Sequence, residues 1–510
     1  MDQSIVDIIL MGLHWTTLLL TILGAVSGMI IGILPGLTAT MGVALLVSLT
    51  YGWSVVNAFA MMMGLWIGSI FGASRSAILV NIPGTPASIA TSFDGYPLSK
   101  QGLAGHAIGL ATVGSFAGNF IGVVILAIAI FPMLELALRF GSFEFFLLAF
   151  VGLTMISSIS PASFIKGLLS GCLGFLVAMI GIDPMTGVLR FTYGSVSLAT
   201  GVSFLPVMIG LFGISEVLIS IGEKYPKLIA EKIGKVVPSL STIKKHSLLM
   251  AETGLLGSII GALPGIGGEV ACLMGYDYAK RRVKNPTRPF GEGADEGIIG
   301  SETANNSAIG GAIIPMLTLG IPGDAVTAVL LGAFIIHGIQ PGPLLLVHHK
   351  EFFYLIVLFS LVAGIFLLIF GLSTVRLLSK ISVTPKYILM PIIVVLCVVG
   401  SFAIHCSFAD VHIAFAFGIL GYFLRRFGFP LGPLVIGIIL GPIADSNLRR
   451  SIMLAEGHLL IELLGRPISV VLLIVIILSI LSRSAKTKEL FRKAWVLFKG
   501  VVGKGHLREE

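Results

Sequence analysis

The sequence is poor in charged residues, cysteines and nucleotide-binding motifs. Only 11% of its 510 residues are Asp, Glu, Lys or Arg, whereas a soluble domain has about 25%. The four cysteines show no Cys-x-x-Cys spacing, so neither a zinc site nor a disulfide framework is predicted. No Gly-x-x-x-x-Gly-Lys-Ser/Thr sequence occurs, which argues against an ATP-driven pump in this chain. No Lys or Arg occurs before Arg75, and we expect no cleaved signal peptide.

Apolar residues dominate instead. They make up 56% of the chain, and the mean hydropathy is +1.02. Runs such as 107–131 and 352–372 match the ~20 residues with which a helix crosses a bilayer. We therefore predict an all-α polytopic membrane protein with about 10–12 transmembrane helices. The net charge of +8 lies mainly in short loops and the tail, so it indicates membrane topology rather than nucleic-acid binding.

Several motifs occur twice, in the same order. GMIIGILPG (28–36) matches GSIIGALPG (257–265), and the sequence Asn-Ile-Pro-Gly after residue 80 matches Gly-Ile-Pro-Gly after residue 319. Ser74–Ser76 matches the polar triplet Asn305–Ser307, and Pro206 with Gly210 matches Pro433 with Gly437. This order predicts an internal duplication. The predicted units are a first repeat (1–222), a charged cytoplasmic linker (223–246), a second repeat (247–482) and a basic cytoplasmic tail (483–510).

The charges around the repeated Leu-Pro-Gly indicate two hairpins of opposite orientation. Segment 247–279 has basic residues on both sides, so both of its ends should be cytoplasmic. Its 33 residues are too few for two crossings, which need ~40, so we predict a re-entrant hairpin with its tip around Pro264-Gly265. The counterpart around Pro35-Gly36 has no basic flank and should enter from outside. The repeats are therefore predicted to be inverted.

A Pro-Gly break in an apolar helix frees backbone amides and carbonyls, which then meet protein, water or a ligand. Amides at helix N-termini attract carboxylates, and freed carbonyls can coordinate sodium. The predicted substrate-binding residues surround the tips and the polar triplets: Gly36, Thr38, Ala39, Thr40, Ser74, Arg75, Ser76, Gly265, Gly267, Gly268, Asn305, Asn306 and Ser307. The predicted ion-coupling residues surround the second pair of breaks: Asn81, Pro83, Gly84, Thr85, Glu269, Pro322, Gly323 and Asp324.

Each assignment has a structural alternative. Arg75 is the predicted cation for an anionic substrate, or an interfacial arginine that reaches lipid head groups. Asn305–Ser307 binds a cation or a carboxylate, or forms hydrogen bonds between helices. Asp324 binds sodium or carries a proton, and it can also cap the helix that follows. The Pro-Gly sequences themselves can be simple kinks with packing glycines.

Two other functional classes remain open. Tyr276-Asp277 and Gly320-Ile-Pro-Gly-Asp324 faintly resemble the paired acids of intramembrane aspartyl proteases. The basic residues 280–282 beside Asp277 and the acid-free counterpart Thr85 argue against this enzyme. The other alternative is an ion or solute channel, which conducts faster than a carrier and needs no coupling gradient.

Longer motifs give a more specific indication. GILPGLTATMGVALLVSLTYG and NIPGTPASIATSFDGYPLSKQG in the first half, with GALPGIGGEVACLMGYDYAKRR and TLGIPGDAVTAVLLGAFIIHGIQPGP in the second, resemble the large membrane subunit of the tripartite tricarboxylate transporters, the TctA family. This resemblance implies a secondary carrier, not an enzyme, for citrate or related carboxylates in a bacterial inner membrane. It implies two partners, a TctB-like membrane subunit of about four helices and a TctC-like periplasmic binding protein. It also implies coupling to Na⁺ or H⁺, with no cofactor, no resident metal beyond a candidate sodium ion, and no nucleic acid.

Overall fold

The computed structural model describes residues 5–34, 36–159, 163–183, 185–221, 233–381 and 386–481. Pro35, the linker up to residue 232 and the predicted tail lie outside the described residues. The first-half helices are α1 (Ile5–Gly12), α2 (Trp15–Ile33), α3 (Ala39–Leu49), α4 (Val55–Val80), α5 (Ile89–Leu98), α6 (Ala104–Ala137), α7 (Ser142–Ile159), α8 (Phe164–Ala178), α9 (Val196–Ala199), α10 (Phe204–Met208) and α11 (Ser215–Ile221).

The second half repeats this order of elements closely. Its helices are α12 (Leu240–Gly261), α13 (Gly267–Arg282), α14 (Asp295–Leu319), α15 (Ala325–Ile336), α16 (Pro343–His348), α17 (Glu351–Ser373), α18 (Val375–Ile381), α19 (Lys386–His405), α20 (Phe408–Arg426), α21 (Leu431–Leu454), α22 (Leu459–Gly465) and α23 (Pro467–Leu481). In both halves a helical hairpin precedes a long helix that breaks at an Ile-Pro-Gly sequence. In the described part of the chain, the strands form one antiparallel pair, β1 (Gly181–Ile182) and β2 (Leu189–Arg190).

Seven helical segments of the described chain are long and apolar enough to cross a membrane. The pair α22 and α23, bent by 100°, makes an eighth, and five shorter apolar helices accompany them. The chain is therefore an all-α, multi-pass membrane protein, as its composition predicts. The count of 10–12 spans and the inversion of the repeats stay predictions.

Glycines let the first hairpin approach the helix that follows it. A Cβ built on Gly28 of α2 would lie 2.1 Å from the carbonyl oxygen of Leu65 on α4, and one built on Gly32 would lie 2.0 Å from that of Ser69. In the second half, a Cβ built on Gly257 of α12 would lie 2.1 Å from the carbonyl oxygen of Ala304 on α14. The Gly-x-x-x-Gly part of the repeated motif thus brings two helix backbones together in each half.

The halves are joined through α6 and α14. A Cβ on Gly118 of α6 would lie 2.3 Å from the carbonyl oxygen of Thr303, and one on Gly310 of α14 would lie 2.1 Å from that of Gly122. Aromatic rings pack α4, α15 and α17 together, with the Phe59 and Phe334 centroids 4.1 Å apart. Close packing of this kind holds the broken helices of both halves in one core.

Candidate functional site

The two Leu-Pro-Gly sequences form the tips of helical hairpins. Gly36 follows α2 with φ 90°, and Gly265 follows α12 with φ 78°, a left-handed conformation that favours glycine. The chain then starts a new helix in each case. Thr38 begins α3 as its N-cap, accepting a hydrogen bond from the Met41 amide at 3.2 Å. The predicted hairpin at Pro264-Gly265 is confirmed in that α12 ends before this break and α13 begins after it. In the first half, α2 precedes Pro35 and α3 follows it, and Pro35 itself lies outside the described residues.

The two Ile-Pro-Gly sequences interrupt α4 and α14. Each helix ends on a residue in the left-handed conformation, Asn81 with φ 56° and Gly320 with φ 68°. The chain resumes as a short 3₁₀ turn (Pro86–Ser88) and α5 in the first half, and as α15 in the second. Asp324 caps α15, because its Oδ1 accepts from the amide and the hydroxyl of Thr327, each at 2.7 Å. The capping role foreseen for Asp324 is confirmed, and its role in ion coupling stays a prediction.

All four breaks lie around one cavity of about 570 Å³. Three helices, α3, α13 and α15, begin at its wall, at Ala39, Gly267 and Ala325. Ten of the predicted site residues line it: Thr38, Ala39, Thr40, Thr85, Gly265, Gly267, Gly268, Glu269, Asn305 and Asp324. The sequence pairs that looked equivalent along the chain therefore converge in space.

Three side chains that line the cavity have polar atoms without a hydrogen-bond partner among the described residues, and one of these atoms is the indole nitrogen of Trp66. Asn305 is 1% exposed, and neither its Oδ1 nor its Nδ2 makes a hydrogen bond. Thr85, 7% exposed, has an unpaired hydroxyl. Leaving a buried polar group unpaired costs about 1–3 kcal/mol. A polar ligand in the cavity would satisfy these groups.

The tip of the second hairpin lies against Asp324 and Asn305. A Cβ on Gly267 would lie 2.7 Å from the Asp324 Cβ, and one on Gly268 would lie 2.4 Å from the Asn305 Oδ1. Any larger residue would push the tip away. The close approach also brings Glu269, which is exposed into the cavity, near enough to Asp324 for their carboxyl groups to interact electrostatically. Two acids, a free amide and a free hydroxyl thus share one wall.

Comparison with known proteins decides the family. The sequence profile of the "Tripartite tricarboxylate transporter TctA family" matches residues 18–436, which includes both hairpins, both broken helices and the cavity. The chain belongs to the TctA family. TctA proteins are components of a transporter rather than enzymes, so a transport role follows for this membrane protein.

Two relatives of this TctA-family chain come from Agrobacterium vitis. An "uncharacterized 52.8 kDa protein in TAR-I ttuC' 3'region" is 35% identical over 89% of this chain and 90% of its own length. An "uncharacterized protein in TAR-II ttuC' 3'region" is 39% identical over 39% of this chain and 83% of its own length. No solved structure matches the chain significantly.

The remaining predicted residues of this TctA-family chain lie outside the cavity wall. The hydroxyls of Ser74, Ser76 and Ser307 donate to carbonyls within their own helices. The Asn306 amide donates to the Glu302 carbonyl at 2.9 Å, which also keeps it within α14. The predicted residues that do not line the cavity are Gly36, Ser74, Arg75, Ser76, Asn81, Pro83, Gly84, Asn306, Ser307, Pro322 and Gly323.

Arg75 lies inside the protein, away from the lipid and from the cavity wall. It is 2% exposed, which excludes the interfacial alternative. Its guanidinium donates to the carbonyl of Phe71, to the Thr112 hydroxyl at 3.1 Å and to the Gly371 carbonyl at 3.3 Å. It also interacts electrostatically with buried Glu302. Arg75 therefore ties α4 to α6, α14 and α17, and its predicted contact with substrate has no counterpart in this arrangement.

The sequence interpretation missed part of the cavity lining. Glu216 on α11, Arg425 on α20 and residues 428–433 line the cavity, together with Trp66 and Phe212. No motif in the sequence marks Glu216 or Arg425. A partial signal was present in the weak match between Pro206 and Pro433, because Pro433 of α21 lines the cavity.

The protease alternative is not supported by the geometry. The Asp277 side chain is 54% exposed and pairs with Arg281 at 2.7 Å, and it does not line the cavity that contains Asp324. Paired catalytic carboxylates must share a site in order to share a proton. These two acids lie in different environments.

Proposed function

We propose that this chain is the large permease subunit of a tripartite, binding-protein-dependent secondary transporter. It takes up citrate, other tricarboxylates or related organic acids across a bacterial inner membrane by alternating access, coupled to a sodium or proton gradient. A TctB-like small membrane subunit and a TctC-like periplasmic protein complete the system, the latter delivering substrate. The cavity between the two hairpin tips is the substrate site.

The observation that carries this proposal is the meeting of both hairpin tips and both Ile-Pro-Gly breaks around one cavity. The N-termini of α3, α13 and α15 open into it. A helix N-terminus presents backbone amides and a partial positive charge, and that of α13 has no side-chain cap, so it favours a carboxylate. Asn305 and Thr85 supply unpaired polar atoms for the same ligand.

The charges of the cavity support cation coupling. Its described lining contains the acids Glu216, Glu269 and Asp324 but a single basic residue, Arg425. Fully ionised, this set carries two net negative charges, which repel an anionic substrate. Protons or sodium ions bound at Glu269 and Asp324 would remove that repulsion, so substrate and cation would enter together.

The distribution of basic residues supports a cavity that opens toward the cytoplasm. Lys166, Arg425 and Arg426 gather beside residues 427–429, two of which line the cavity. Basic residues favour the cytoplasmic side. The hairpin made by α12 and α13 would then enter from the cytoplasm, the one made by α2 and α3 would enter from outside, and the repeats would be inverted.

Reconstitution tests the proposal. Proteoliposomes containing this chain, its small membrane subunit and the binding protein should accumulate citrate or a related carboxylate when a sodium or proton gradient is imposed. Thr85→Val should reduce uptake at low substrate roughly 10-fold, because it removes an unpaired hydroxyl from the cavity wall. Thr303→Val is the matched control, since its buried, unpaired hydroxyl lies on α14 outside the cavity.

Three outcomes would contradict the proposal. Equal uptake by both threonine variants would remove Thr85 from the site. Flux that exceeds carrier rates and ignores the gradient would indicate a channel. Absence of uptake for every di- and tricarboxylate, with all three components present, would refute carboxylate transport itself.

A further inference from the structure

Arg425 is the only basic side chain lining the cavity in the described ranges. It lies near the C-terminal end of α20, and its Nη1 donates to the Oε2 of Glu216 on α11 at 2.6 Å. The two side chains differ in exposure, 38% for Arg425 and 9% for Glu216. The cavity lined by the hairpin tips therefore also contains a guanidinium, already paired with one carboxylate.

The pairing leaves most of the guanidinium unused. An arginine has five N–H donors in a planar fork that matches both oxygens of a carboxylate. Within the part of the chain that is described, Glu216 is the one hydrogen-bond acceptor of the Arg425 side chain. Arg75, in contrast, donates to three acceptors on three helices and is closed off from the cavity. Arg425 is thus accessible to an anion in the cavity, and Arg75 is not.

We propose that Arg425 binds a carboxylate group of the transported substrate, and that Glu216 occupies this position when the cavity is empty. The inference rests on the proposed function and assigns a residue to it. Substrate and Glu216 offer the guanidinium the same chemical group, so one ion pair replaces the other. The exchange costs little, because a partly exposed ion pair contributes little net stability.

The position of Arg425 also selects the class of substrate. Asn305, Thr85 and the N-terminus of α13 form a second polar region at the tips. A dicarboxylate or tricarboxylate can place one carboxylate on Arg425 and another at the tips. A monocarboxylate reaches only one of the two regions, so the cavity favours compact anions with at least two carboxylates.

Binding measurements on the purified, full-length chain in nanodiscs test this assignment. Citrate, succinate and acetate are titrated at fixed sodium concentration and pH. We expect citrate and succinate to bind and acetate to bind much more weakly. Arg425→Ala and Arg425→Lys should each raise the Kd for citrate about 10-fold or more, since lysine cannot form the two-pronged contact. Glu216→Gln should lower the Kd by about 2- to 5-fold, because it removes the competing carboxylate.

Arg426→Ala is the matched control. Arg426 is the next residue of α20, but it donates to the Tyr422 hydroxyl and does not line the cavity, so its loss should leave the Kd unchanged. Arg425→Ala leaves Glu216 without its partner, so the double variant Arg425→Ala/Glu216→Gln is measured as well and should bind citrate as weakly as Arg425→Ala.

The outcomes separate the two proposals. Wild-type affinity in Arg425→Ala or in the double variant overturns the role of Arg425 while leaving carboxylate transport intact. An unchanged or raised Kd in Glu216→Gln overturns the exchange. A wild-type chain that binds none of the three anions refutes the proposed function itself.

Discussion

Arginine residues inside the membrane region of this chain are satisfied in two different ways. Arg75 donates hydrogen bonds to two backbone carbonyls and a threonine hydroxyl, which lie on three helices. It also lies near Glu302, whose carboxylate accepts from the hydroxyls of Thr91 at 2.5 Å and Ser115 at 2.7 Å. Arg425 has one acceptor and open space. A buried charge that donates to several helices holds them together, whereas an accessible charge with spare donors can bind a ligand.

The first prediction at the residue scale concerns Arg75. Arg75→Ala should destabilise the protein by about 3–5 kcal/mol, because it leaves the Glu302 carboxyl without its basic partner in a dry core. Thermal unfolding of the purified protein in detergent measures this loss. Adding Glu302→Gln should restore part of the stability, and Arg139→Ala, at an exposed position, should have no effect. A stable Arg75→Ala protein that fails only in transport would instead support the substrate role predicted from the sequence.

At the scale of elements, glycines decide how closely helices approach. Gly24, Gly28 and Gly32 let α2 lie directly on the backbone of α4, and Gly257 does the same between α12 and α14. In hydrocarbon, close packing of this kind replaces the hydrophobic effect as the main contact between helices. The hairpins are therefore anchored to the long helices whose breaks they face.

Gly28→Ala tests this anchoring. The new Cβ would lie 2.1 Å from the Leu65 carbonyl oxygen, and a backbone atom cannot rotate away as a side chain can. Gly28→Ala should therefore unfold at a lower temperature than wild type, with its free energy of unfolding reduced by about 1–3 kcal/mol or more. Gly52→Ala is the control, because its Cβ would meet nothing within 4 Å. Equal melting temperatures for the two variants would show that α2 and α4 are not packed this closely.

The segment between α8 and α10 makes a second prediction at this scale. Asp183 accepts hydrogen bonds from the Thr186 hydroxyl and the Met185 amide. These bonds, together with the positive charges of Arg190 and Arg449, hold the pKa of the Asp183 carboxyl well below its usual value. A lowered pKa in the folded state adds stability above the unfolded pKa of about 3.9, and this stability is lost as the pH falls below that value.

Melting temperatures measured from pH 7 down to pH 3 test the contribution of this carboxylate. Asp183→Asn should unfold at lower temperature than wild type at pH 7, and the difference should shrink as the pH drops below about 4. Asp277→Asn, which removes an exposed carboxylate, should match wild type throughout. A difference between Asp183→Asn and wild type that stays constant with pH would rule out the ionised carboxylate as the cause.

At the scale of the whole molecule, elements from both halves enclose a single cavity. The tips come from opposite halves, and α11 and α20 each add a residue to the lining, again one helix from each half. Such an arrangement allows one half to move against the other around a fixed ligand, as alternating access requires. The two halves contribute different chemistry, since Thr38 and Thr40 line one tip and Gly267 and Glu269 line the other.

Thiol labelling tests which side the cavity faces. In a chain with exposed Cys172 and Cys406 replaced by Ser, Thr40→Cys and Val270→Cys should react with a membrane-impermeant reagent from the cytoplasmic side. Lys284→Cys marks that side. Citrate with sodium should slow the reaction severalfold, because the ligands fill the cavity.

Ser195→Cys lies in the segment between α8 and α10, which we expect on the opposite side of the membrane because α8 leads from Lys166 to this segment. Labelling of the cavity cysteines only from the Ser195→Cys side would show that the cavity opens outward. Labelling that ignores citrate and sodium would remove both tips from the binding site.

The sequence by itself determined the membrane class, the breaks and the family. Proline lacks an amide hydrogen, and glycine tolerates the left-handed conformation most easily. Gly36, Gly265 and Gly320, which follow or precede prolines, therefore indicate helix breaks from the local sequence alone. The repeated order of these breaks was enough to predict which segments meet. Ten of the predicted residues do line the cavity for that reason.

Only the tertiary structure decided which polar side chains reach that cavity. Ser74 and Ser76 flank Arg75 close to a break, yet their hydroxyls turn back to their own helix. The carbonyl that helps to hold Arg75 belongs to Gly371, 296 residues away, and no local pattern could reveal it. Local sterics set where a helix ends, but the rotation of each helix and the partners of each charge depend on long-range packing.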